Sequence, residues 1–284
     1  MHPVLFQLGP VTVYTYGVLV AAGFLIGLWY AFRQAPRAGL DPNKIWNLGV
    51  YGILIALASS KVWLLVSAWD YYSANPREIF SMETFQSAGT FYGGILGGIV
   101  WVVLYAHFQK MPFLGILDLG AAPVALGHSI GRVGCFVAGC CYGKPTSLPW
   151  AVTFTSPVAA RIAGTPLNVS LHPTQLYEAA AEFLNFLFLV WLGTKQRFTG
   201  QLVGTFFILY GIERGAIEFV RGDPGRTLMF HDTVSLMQIV SVALIITGAL
   251  LWWRGLRGAA PIPPVAAAHA GARPNTRPAA GRSH

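Results

Sequence analysis

The chain has little charge for its length. Of its 284 residues, 11% are Asp, Glu, Lys or Arg, whereas 54% are hydrophobic, and the mean hydropathy is +0.54. Soluble globular domains have about 25% charged residues, so this composition excludes that class and indicates a membrane protein. Several apolar runs reach the ~20 residues that a helix needs to cross a bilayer, and a set of such runs excludes a lone signal sequence as their explanation.

Cysteine is scarce as well. Cys135, Cys140 and Cys141 are too few for a disulfide framework, and their spacing lacks the C-x-x-C pairs of a structural zinc site. Inert or structural thiols are one interpretation. A second is a disulfide from Cys135 to Cys140 or Cys141. A third is reactive chemistry, either a lipid held transiently on a thiol or a metal bound with His128 or His172.

The formal net charge of +8 raises the question of nucleic acid. The basic residues form no patch, because they lie between the apolar runs and in the tail after Arg254. The positive-inside rule and anionic lipid account for that placement, so nucleic acid is excluded as a partner and membrane lipid is expected.

Hydropathy predicts an all-α polytopic membrane protein with about seven transmembrane helices. The predicted spans are roughly 11–32, 46–68, 89–108, 113–130, 175–192, 201–220 and 234–253. Basic residues on alternate sides place the N-terminus outside and the C-terminus in the cytoplasm. Residues 1–257 form the predicted transmembrane domain, with a small periplasmic head at about 131–174 between helices 4 and 5. Residues 258–284, rich in Ala, Pro, Gly and Arg, form a predicted disordered cytoplasmic tail.

Ionisable side chains inside the predicted spans are candidates for function, because such groups are costly in a bilayer. They are Lys61, Asp118, Glu178, Glu182, Glu213, Arg214 and Glu218. Arg214 and Glu218 are four residues apart and share a helix face, with Arg221 one turn further on. Two interpretations stay open, a structural ion pair or a phosphate pocket lined by Arg214 and Arg221.

Three short runs lie where the predicted spans meet the outer interface. Gly131-Arg132-Val133-Gly134 ends the fourth span, and an arginine there holds a ligand or a lipid head group. Tyr92-Gly93-Gly94 opens the third span, where the glycines allow close packing and free N–H groups favour an anion. His172–Glu178 opens the fifth span, with Thr174 as the predicted N-cap.

These runs, in this order, resemble the prolipoprotein diacylglyceryl transferases over nearly the whole chain. The resemblance extends from Phe6–Pro10 to Ser235–Gln238, and its sharpest element is Gly131–Gly143, which is similar to the family signature. It implies transfer of the diacylglyceryl group of phosphatidylglycerol to the lipobox cysteine of a prolipoprotein, the first step of bacterial lipoprotein maturation. It also implies a place in the inner membrane, prolipoprotein signal peptides as partners, and no cofactor.

The resemblance implies roles for particular residues. Arg132 would hold the lipid phosphate and Arg214 would stabilise charge near the leaving group, with Glu218 orienting Arg214. The remaining expected site residues are Tyr92 in catalysis, and Tyr16, Lys61, Gly93, Gly94, His172, Gln175 and Arg221 in substrate binding.

The chain departs from the family pattern at four positions. Tyr92 stands in place of the histidine of a His-Gly-Gly motif, Lys61 in place of arginine, Cys135 in place of asparagine and Cys140 in place of glutamate. A tyrosine, with a reference pKa of about 10, is a poor base at neutral pH but donates a hydrogen bond. His128 and His172 are the alternative proton acceptors.

Three other functions compete. The first is a divergent or inactive lipid-binding relative that acts on another acceptor, motivated by Tyr92 and Cys135. The second is a membrane thiol oxidoreductase using the three cysteines, against which the missing C-x-x-C pair counts. The third is a transporter, against which the lack of an internal repeat counts.

Overall fold

The computed structural model describes residues 3–9, 11–81, 84, 89–229 and 233–258. The chain is mostly helical, with a β-hairpin before the first helix and two further pairs of very short strands. The helices are α1 (Thr15–Gln34), α2 (Pro42–Ser67), α3 (Trp69–Ala74), α4 (Phe91–Phe108), α5 (Phe113–Ala138), α6 (Pro157–Ala163), α7 (Thr174–Gly193), α8 (Gln201–Val220) and α9 (Leu236–Gly258).

Five segments of the described chain are long and apolar enough to cross a membrane. They are Thr15–Ala38, which includes α1, and then α2, α5, α7 and α9, while α4 is a shorter apolar helix. Large apolar side chains such as Leu54, Val66 and Leu184 remain exposed on their outer faces, as expected where lipid replaces water. The polytopic, mainly α-helical architecture is therefore confirmed. The count of seven spans stays a prediction, because α8, which carries Glu213, Arg214 and Glu218, is not among these five segments.

Two predicted span edges are wrong. Residues 11–14 belong to strand β2 (Val11–Tyr14), which pairs antiparallel with β1 (Val4–Leu8), so the first helix begins at Thr15 and not at 11. The fourth predicted span corresponds to α5, and this helix does not end at 130 but continues for two more turns to Ala138. The Gly131–Gly134 run is thus inside a helix. The predicted tail from residue 259 onward lies outside the described residues.

Helix α5 is the centre of the helical arrangement, since it packs against α1, α7 and α8. Its backbone comes very close to α1, where a Cβ added to Gly23 would lie 2.7 Å from the carbonyl oxygen of Gly127. On one side α2 pairs with α4, and on the other α9 packs on α8. Side chains at the contact between α5, α7 and α8 therefore lie deepest in the structure.

Asp118 on α5 has a structural role. Its carboxylate accepts hydrogen bonds from the backbone N–H groups of Gly200 (2.6 Å) and Val203 (2.9 Å) and from the side chain of Gln196 (2.7 Å). These donors lie at the start of α8, where a helix has unpaired N–H groups and a partial positive charge. Asp118 thus fixes the beginning of α8 against α5.

The segment between α5 and α7 is compact. Strand β3 (Val152–Thr153) pairs with β4 (Ser170–Leu171), and Tyr142, Phe154 and Leu171 form a small apolar cluster. The strand predicted at 149–154 is only two residues long. After α8, β5 (Leu228–Met229) pairs with β6 (Val234–Ser235). Both short sheets hold connecting segments close to the ends of the long helices.

Candidate functional site

A buried carboxylate lies between two arginines at the contact of α5, α7 and α8. Glu178 of α7 forms an ion pair with Arg132 of α5. Its Oε1 lies 3.7 Å from Nε of Arg214 on α8, and the exposed fractions of Glu178 and Arg214 are only 2% and 5%. Burying charge is costly unless the groups are paired, and Glu178 is a shared partner of two guanidinium groups from different helices, of which Arg214 is paired with Glu218 as well.

The pairing continues along α5 and α7 through a histidine. Nε of Arg132 donates to Nε2 of His128 at 3.1 Å, so the proton of a neutral His128 lies on Nδ1. That Nδ1 faces Oε1 of Glu182 at 2.7 Å. His128 and Arg132 are four residues apart, as are Glu178 and Glu182, so each pair presents one helix face to the other.

On the other side the pairing continues along α8. NH1 of Arg214 donates to Oε2 of Glu218 at 2.7 Å, the ion pair that the i,i+4 spacing predicts. Oε1 of Glu218 accepts from Nε of Arg226 at 2.7 Å. Glu218 is 1% exposed. Both of its oxygens are therefore occupied by guanidinium groups, and Arg214 is held in a single orientation.

This set of residues is termed here the charge array. In it, acidic side chains contact basic ones and His128 lies between Glu182 and Arg132; its members are Glu182, His128, Arg132, Glu178, Arg214, Glu218 and Arg226. Four buried acceptor atoms in or beside it have no hydrogen-bond partner within the described protein: Oε1 of Gln175, Oε1 of Glu178, Oε2 of Glu182 and Oε1 of Glu213. The array thus retains acceptors for water or polar groups of a substrate.

The three cysteines lie together beside the array and are termed here the cysteine cluster. Their sulfur atoms all lie within 4.8 Å of one another, and all three are free thiols. The disulfide, one of the three interpretations of these cysteines, is therefore not present in this structure. Cys135 lies in the last turn of α5 and is buried, whereas Cys140 and Cys141 follow the helix and are partly exposed.

A tight turn brings Cys140 and Cys141 back over Cys135. Gly139 has φ 84° and Cys141 has φ 59°, and the left-handed conformation is uncommon for a residue with a side chain. Side chains of α7 hold the turn, since Oγ1 of Thr174 donates to the Cys141 carbonyl at 2.7 Å and Nε2 of Gln175 donates to the Cys140 carbonyl at 2.7 Å. Thr174 is thus not the N-cap, a position that Pro173 occupies.

Electrostatics differ between the two thiols that follow α5. Hydrogen bonds from Cys135 and Cys140, and then the positive charges of Arg221 and Arg132, lower the pKa of the Cys141 thiol. Hydrogen bonds to Cys135 and Cys141, together with burial, raise the pKa of Cys140. The two arginines therefore favour negative charge at Cys141 within the cluster.

Arg221 is separate from the pairing of Arg214. Its Nε donates to Oδ1 of Asp223 at 2.5 Å and its NH2 to Oδ2 at 3.2 Å. Burial lowers the pKa of Arg221, but the hydrogen bonds to Asp223 and the negative charges of Cys141 and Asp223 together raise the pKa overall. The expected pairing of Arg214 with Glu218 is confirmed, while Arg221 faces Asp223 and the Cys141 thiol.

The structure distributes the other expected site residues over two regions. Tyr16 of α1 packs on Gly134, where a Cβ would lie 3.4 Å from the tyrosine ring, and it interacts electrostatically with Arg132 and the cysteine cluster. His172 faces the hydroxyl of Tyr177 at 3.4 Å. Tyr16 and Gln175 thus lie beside the cysteine cluster, and the His172 carbonyl accepts a hydrogen bond from the backbone N–H of Gly143, two residues after Cys141, at 3.0 Å.

The α2–α4 pair carries the second group of expected site residues, with Lys61 on α2 and Tyr92, Gly93 and Gly94 on α4. Nζ of Lys61 donates to the carbonyl of Thr84 at 2.7 Å. The hydroxyl of Tyr92 lies 3.5 Å from Oγ1 of Thr227, the residue after Arg226. Gly93 is a packing position, because an added Cβ would lie 2.4 Å from Cβ of Trp63.

Arg226 is the one member of the charge array with no role expected from the sequence, whereas Glu178 and Glu182 were candidates as ionisable groups in a predicted span and His128 as an alternative proton acceptor. Glu178 and Glu182 had a signal in the sequence, as buried acids four apart in a predicted span, but nothing indicated their partners. Tyr210 also belongs here, since its ring lies 5.6 Å from the His128 ring and it interacts electrostatically with Arg132 and Arg214.

Comparison with known proteins gives a consistent result. The family model described as "Prolipoprotein diacylglyceryl transferase" matches residues 3–254. A protein of Clostridium tetani is 36% identical over 253 residues, covering 89% of this chain and 97% of that protein. A protein of Pseudoalteromonas translucida is 34% identical, covering 89% of this chain and 92% of that protein. A protein of Vibrio vulnificus is also 34% identical, covering 91% of this chain and 93% of that protein. All three are named phosphatidylglycerol–prolipoprotein diacylglyceryl transferase.

Proposed function

Because the chain belongs to the prolipoprotein diacylglyceryl transferase family, we propose that it transfers the diacylglyceryl group of phosphatidylglycerol to the lipobox cysteine of a prolipoprotein. The observation that carries this proposal is the buried carboxylate of Glu178 between Arg132 and Arg214. Two guanidinium groups on different helices, both facing one carboxylate, suit an anionic phosphate ester in an apolar surrounding.

The reaction is a displacement at a glyceryl carbon. The sulfur of the acceptor cysteine forms a bond to that carbon, the carbon–oxygen bond to phosphate breaks, and glycerol phosphate leaves with the electron pair. Negative charge therefore increases on the phosphate oxygens, and the thiol proton has to be removed. A site for this reaction needs fixed positive charge at the phosphate and a means of forming a thiolate.

Arg132 and Arg214 supply the fixed positive charge in this proposal. Arg132 holds the lipid phosphate and Arg214 stabilises charge on the leaving group. Glu218 is a positioning residue, because it binds Arg214 and Arg226 through its two oxygens and fixes the orientation of the Arg214 guanidinium group. Glu178 keeps the two catalytic arginines close together while no substrate is bound.

The remaining expected residues have supporting roles. Tyr92 donates a hydrogen bond to the substrate and is not a base, since its hydroxyl is a donor at neutral pH. Tyr16, Lys61, Gly94, His172 and Arg221 contact lipid or peptide, whereas Gly93 and the fully buried Gln175 support the site by packing and by the hydrogen bond to the Cys140 carbonyl. His128 is held between Arg132 and Glu182, which makes it a positioning residue for Arg132.

The proposed setting is the bacterial inner membrane, with the N-terminus outside and the C-terminus cytoplasmic. Prolipoprotein signal peptides reach the site from the outer side. The segment between α5 and α7 supports this arrangement, since it is the longest connection between long helices of the described chain and holds the cysteine cluster. Residues 1–257 then form the transferase domain, with the periplasmic head at about 131–174.

The experiment is a mass-resolved transfer assay with purified protein, phosphatidylglycerol and a lipobox peptide with one cysteine. We expect the peptide to gain one diacylglyceryl mass, and Arg132→Ala and Arg214→Ala each to reduce the rate by about 10²–10³-fold. Arg161→Ala, which changes an exposed arginine of α6, is the matched control and retains the rate. Absence of modification by folded wild-type protein that binds the lipid would contradict the proposal.

A further inference from the structure

The cysteine cluster has the composition of a metal site. Three sulfur ligands lie within 4.8 Å of one another, and among the described residues no histidine or carboxylate joins the group. Thiolate ligands about a tetrahedral zinc ion, at Zn–S distances of about 2.3 Å, lie roughly 3.8 Å apart. The observed separations, at most 4.8 Å, exceed that value by no more than about 1 Å.

The backbone around the cluster is held in place before any ion binds. The turn through Gly139 and Cys141 is left-handed, and buried Thr174 and Gln175 fix the Cys141 and Cys140 carbonyls at 2.7 Å. A left-handed residue with a side chain persists only where its surroundings enforce it, and such positions gather at functional sites. The turn therefore presents two sulfurs toward the third in a fixed arrangement.

The surrounding charge suits a group of thiolates. Arg132 and Arg221 both lie close enough to Cys141 to interact with it electrostatically. Three thiolates and a divalent cation carry a net negative charge, which two guanidinium groups stabilise where water is scarce. Soft sulfur ligands select zinc or copper(I) over hard cations such as magnesium.

The number of protein ligands is informative. Structural zinc sites have four protein ligands, whereas catalytic sites have three and leave the fourth position to water or substrate. A thiol that coordinates such an ion is deprotonated outright. The reaction under "Proposed function" needs a thiolate, and Tyr92 is a poor base. An open fourth coordination position on the zinc ion, beside Arg132, therefore provides the thiolate that the reaction needs.

We propose that Cys135, Cys140 and Cys141 bind a zinc ion whose fourth ligand is the acceptor cysteine of the prolipoprotein. The ion releases the thiol proton to water and holds the sulfur as a zinc thiolate. That sulfur forms the bond to the glyceryl carbon, the carbon–oxygen bond breaks, and glycerol phosphate leaves with the electron pair toward Arg132 and Arg214. The thioether product is a weaker ligand and dissociates, which leaves the three-thiolate site ready for another peptide. This inference rests on the proposed function.

The first measurement is metal content and needs no activity. Full-length protein purified in detergent from zinc-supplemented cells should contain about one zinc ion per chain. Cys141→Ser should lose it, and Arg161→Ala, a matched change outside the cluster, should retain it. Because Cys135→Ser alters a buried position and could impair folding, Cys140→Ser is the second variant. Zinc-free wild-type protein with three titratable thiols that does not take up added zinc would overturn the proposal.

The second measurement follows the fourth ligand. Cobalt(II) in place of zinc should give a thiolate-to-cobalt absorption band, and the lipobox peptide should intensify it, while a peptide with serine in place of cysteine should not. A band that the cysteine peptide leaves unchanged would overturn thiol activation, even if the cluster binds metal.

The third measurement separates this inference from the proposed function. Chelator-treated protein should lose transfer activity and regain it with zinc, and full activity of the metal-free protein would overturn the inference alone. If metal and peptide bind as expected but no lipid is transferred, the proposed function fails while the zinc site stands.

Discussion

The α2–α4 pair and the α5–α7–α8 group are both contacts between long apolar helices, yet they bury different chemistry. The α2–α4 contact is formed by small residues, with Gly93 against Trp63 and Gly97 against Ser59. The α5–α7–α8 contact buries Arg132, Glu178, Arg214 and Glu218 in ion pairs.

This difference links the α2–α4 contact to stability and the α5–α7–α8 contact to function. Small residues let helices approach closely and favour association in a membrane. Buried ion pairs often contribute less to stability than apolar packing of the same volume, because desolvating the charges is costly. We therefore attribute the charge array to the substrate binding proposed above, and the α2–α4 contact to close packing.

The largest expected effect comes from removing the shared carboxylate. Glu178→Ala leaves two buried guanidinium groups without their common partner, and breaking a buried pair costs about 3–5 kcal/mol of unfolding free energy. Unfolding in a denaturing detergent measures this loss. Glu78→Gln, a change in the partly exposed segment after α3, should alter stability little. Equal effects of the two changes would mean that the array does not depend on Glu178.

A smaller effect is expected at the apolar contact. Gly93→Ala places a Cβ 2.4 Å from Cβ of Trp63 and 2.8 Å from the Ser59 carbonyl oxygen, so α4 must shift, at a cost of about 1–3 kcal/mol. Gly98→Ala on the same helix is the control, since nothing lies within 4 Å of its added Cβ. The same detergent-unfolding assay should show a loss for Gly93→Ala only. Equal stability of the two variants would contradict the packing explanation.

The smallest expected effect is at Tyr92. The residue is 42% exposed, and its hydroxyl lies 3.5 Å from Oγ1 of Thr227, so the hydrogen bond between these two atoms is at most weak. Tyr92→Phe should reduce the transfer rate by less than about tenfold, the value of one ordinary hydrogen bond. A loss as large as that of Arg132→Ala would move the catalytic centre toward the α2–α4 pair.

Much of the helical architecture could be predicted from the sequence, because hydropathy reports each apolar run directly. The errors have physical causes. Residues 11–14 are apolar enough to extend a helix, but they pair with β1 as a strand. Gly131–Gly134 is a plausible helix end, but Arg132 is neutralised by Glu178 and the helix continues to Ala138.

The site was only partly predictable for a similar reason. The pairing of Arg214 with Glu218 is local to one helix and follows from the i,i+4 spacing. The pairing of Arg132 with Glu178 depends on how α5 and α7 are aligned, which no local pattern specifies. The gathering of the cysteines likewise depends on the left-handed turn at Cys141 and on its contact with Thr174.

The central claim is that Arg132 and Arg214 act as one unit on the phosphate. A double-mutant cycle tests it most directly, by measuring kcat/KM of transfer for Arg132→Lys, Arg214→Lys and the double variant, since lysine keeps the charge but loses the fork. Residues that act as a unit are strongly non-additive. We predict that the double variant loses little more than either single variant. Losses that multiply, as for independent sites, would contradict the account.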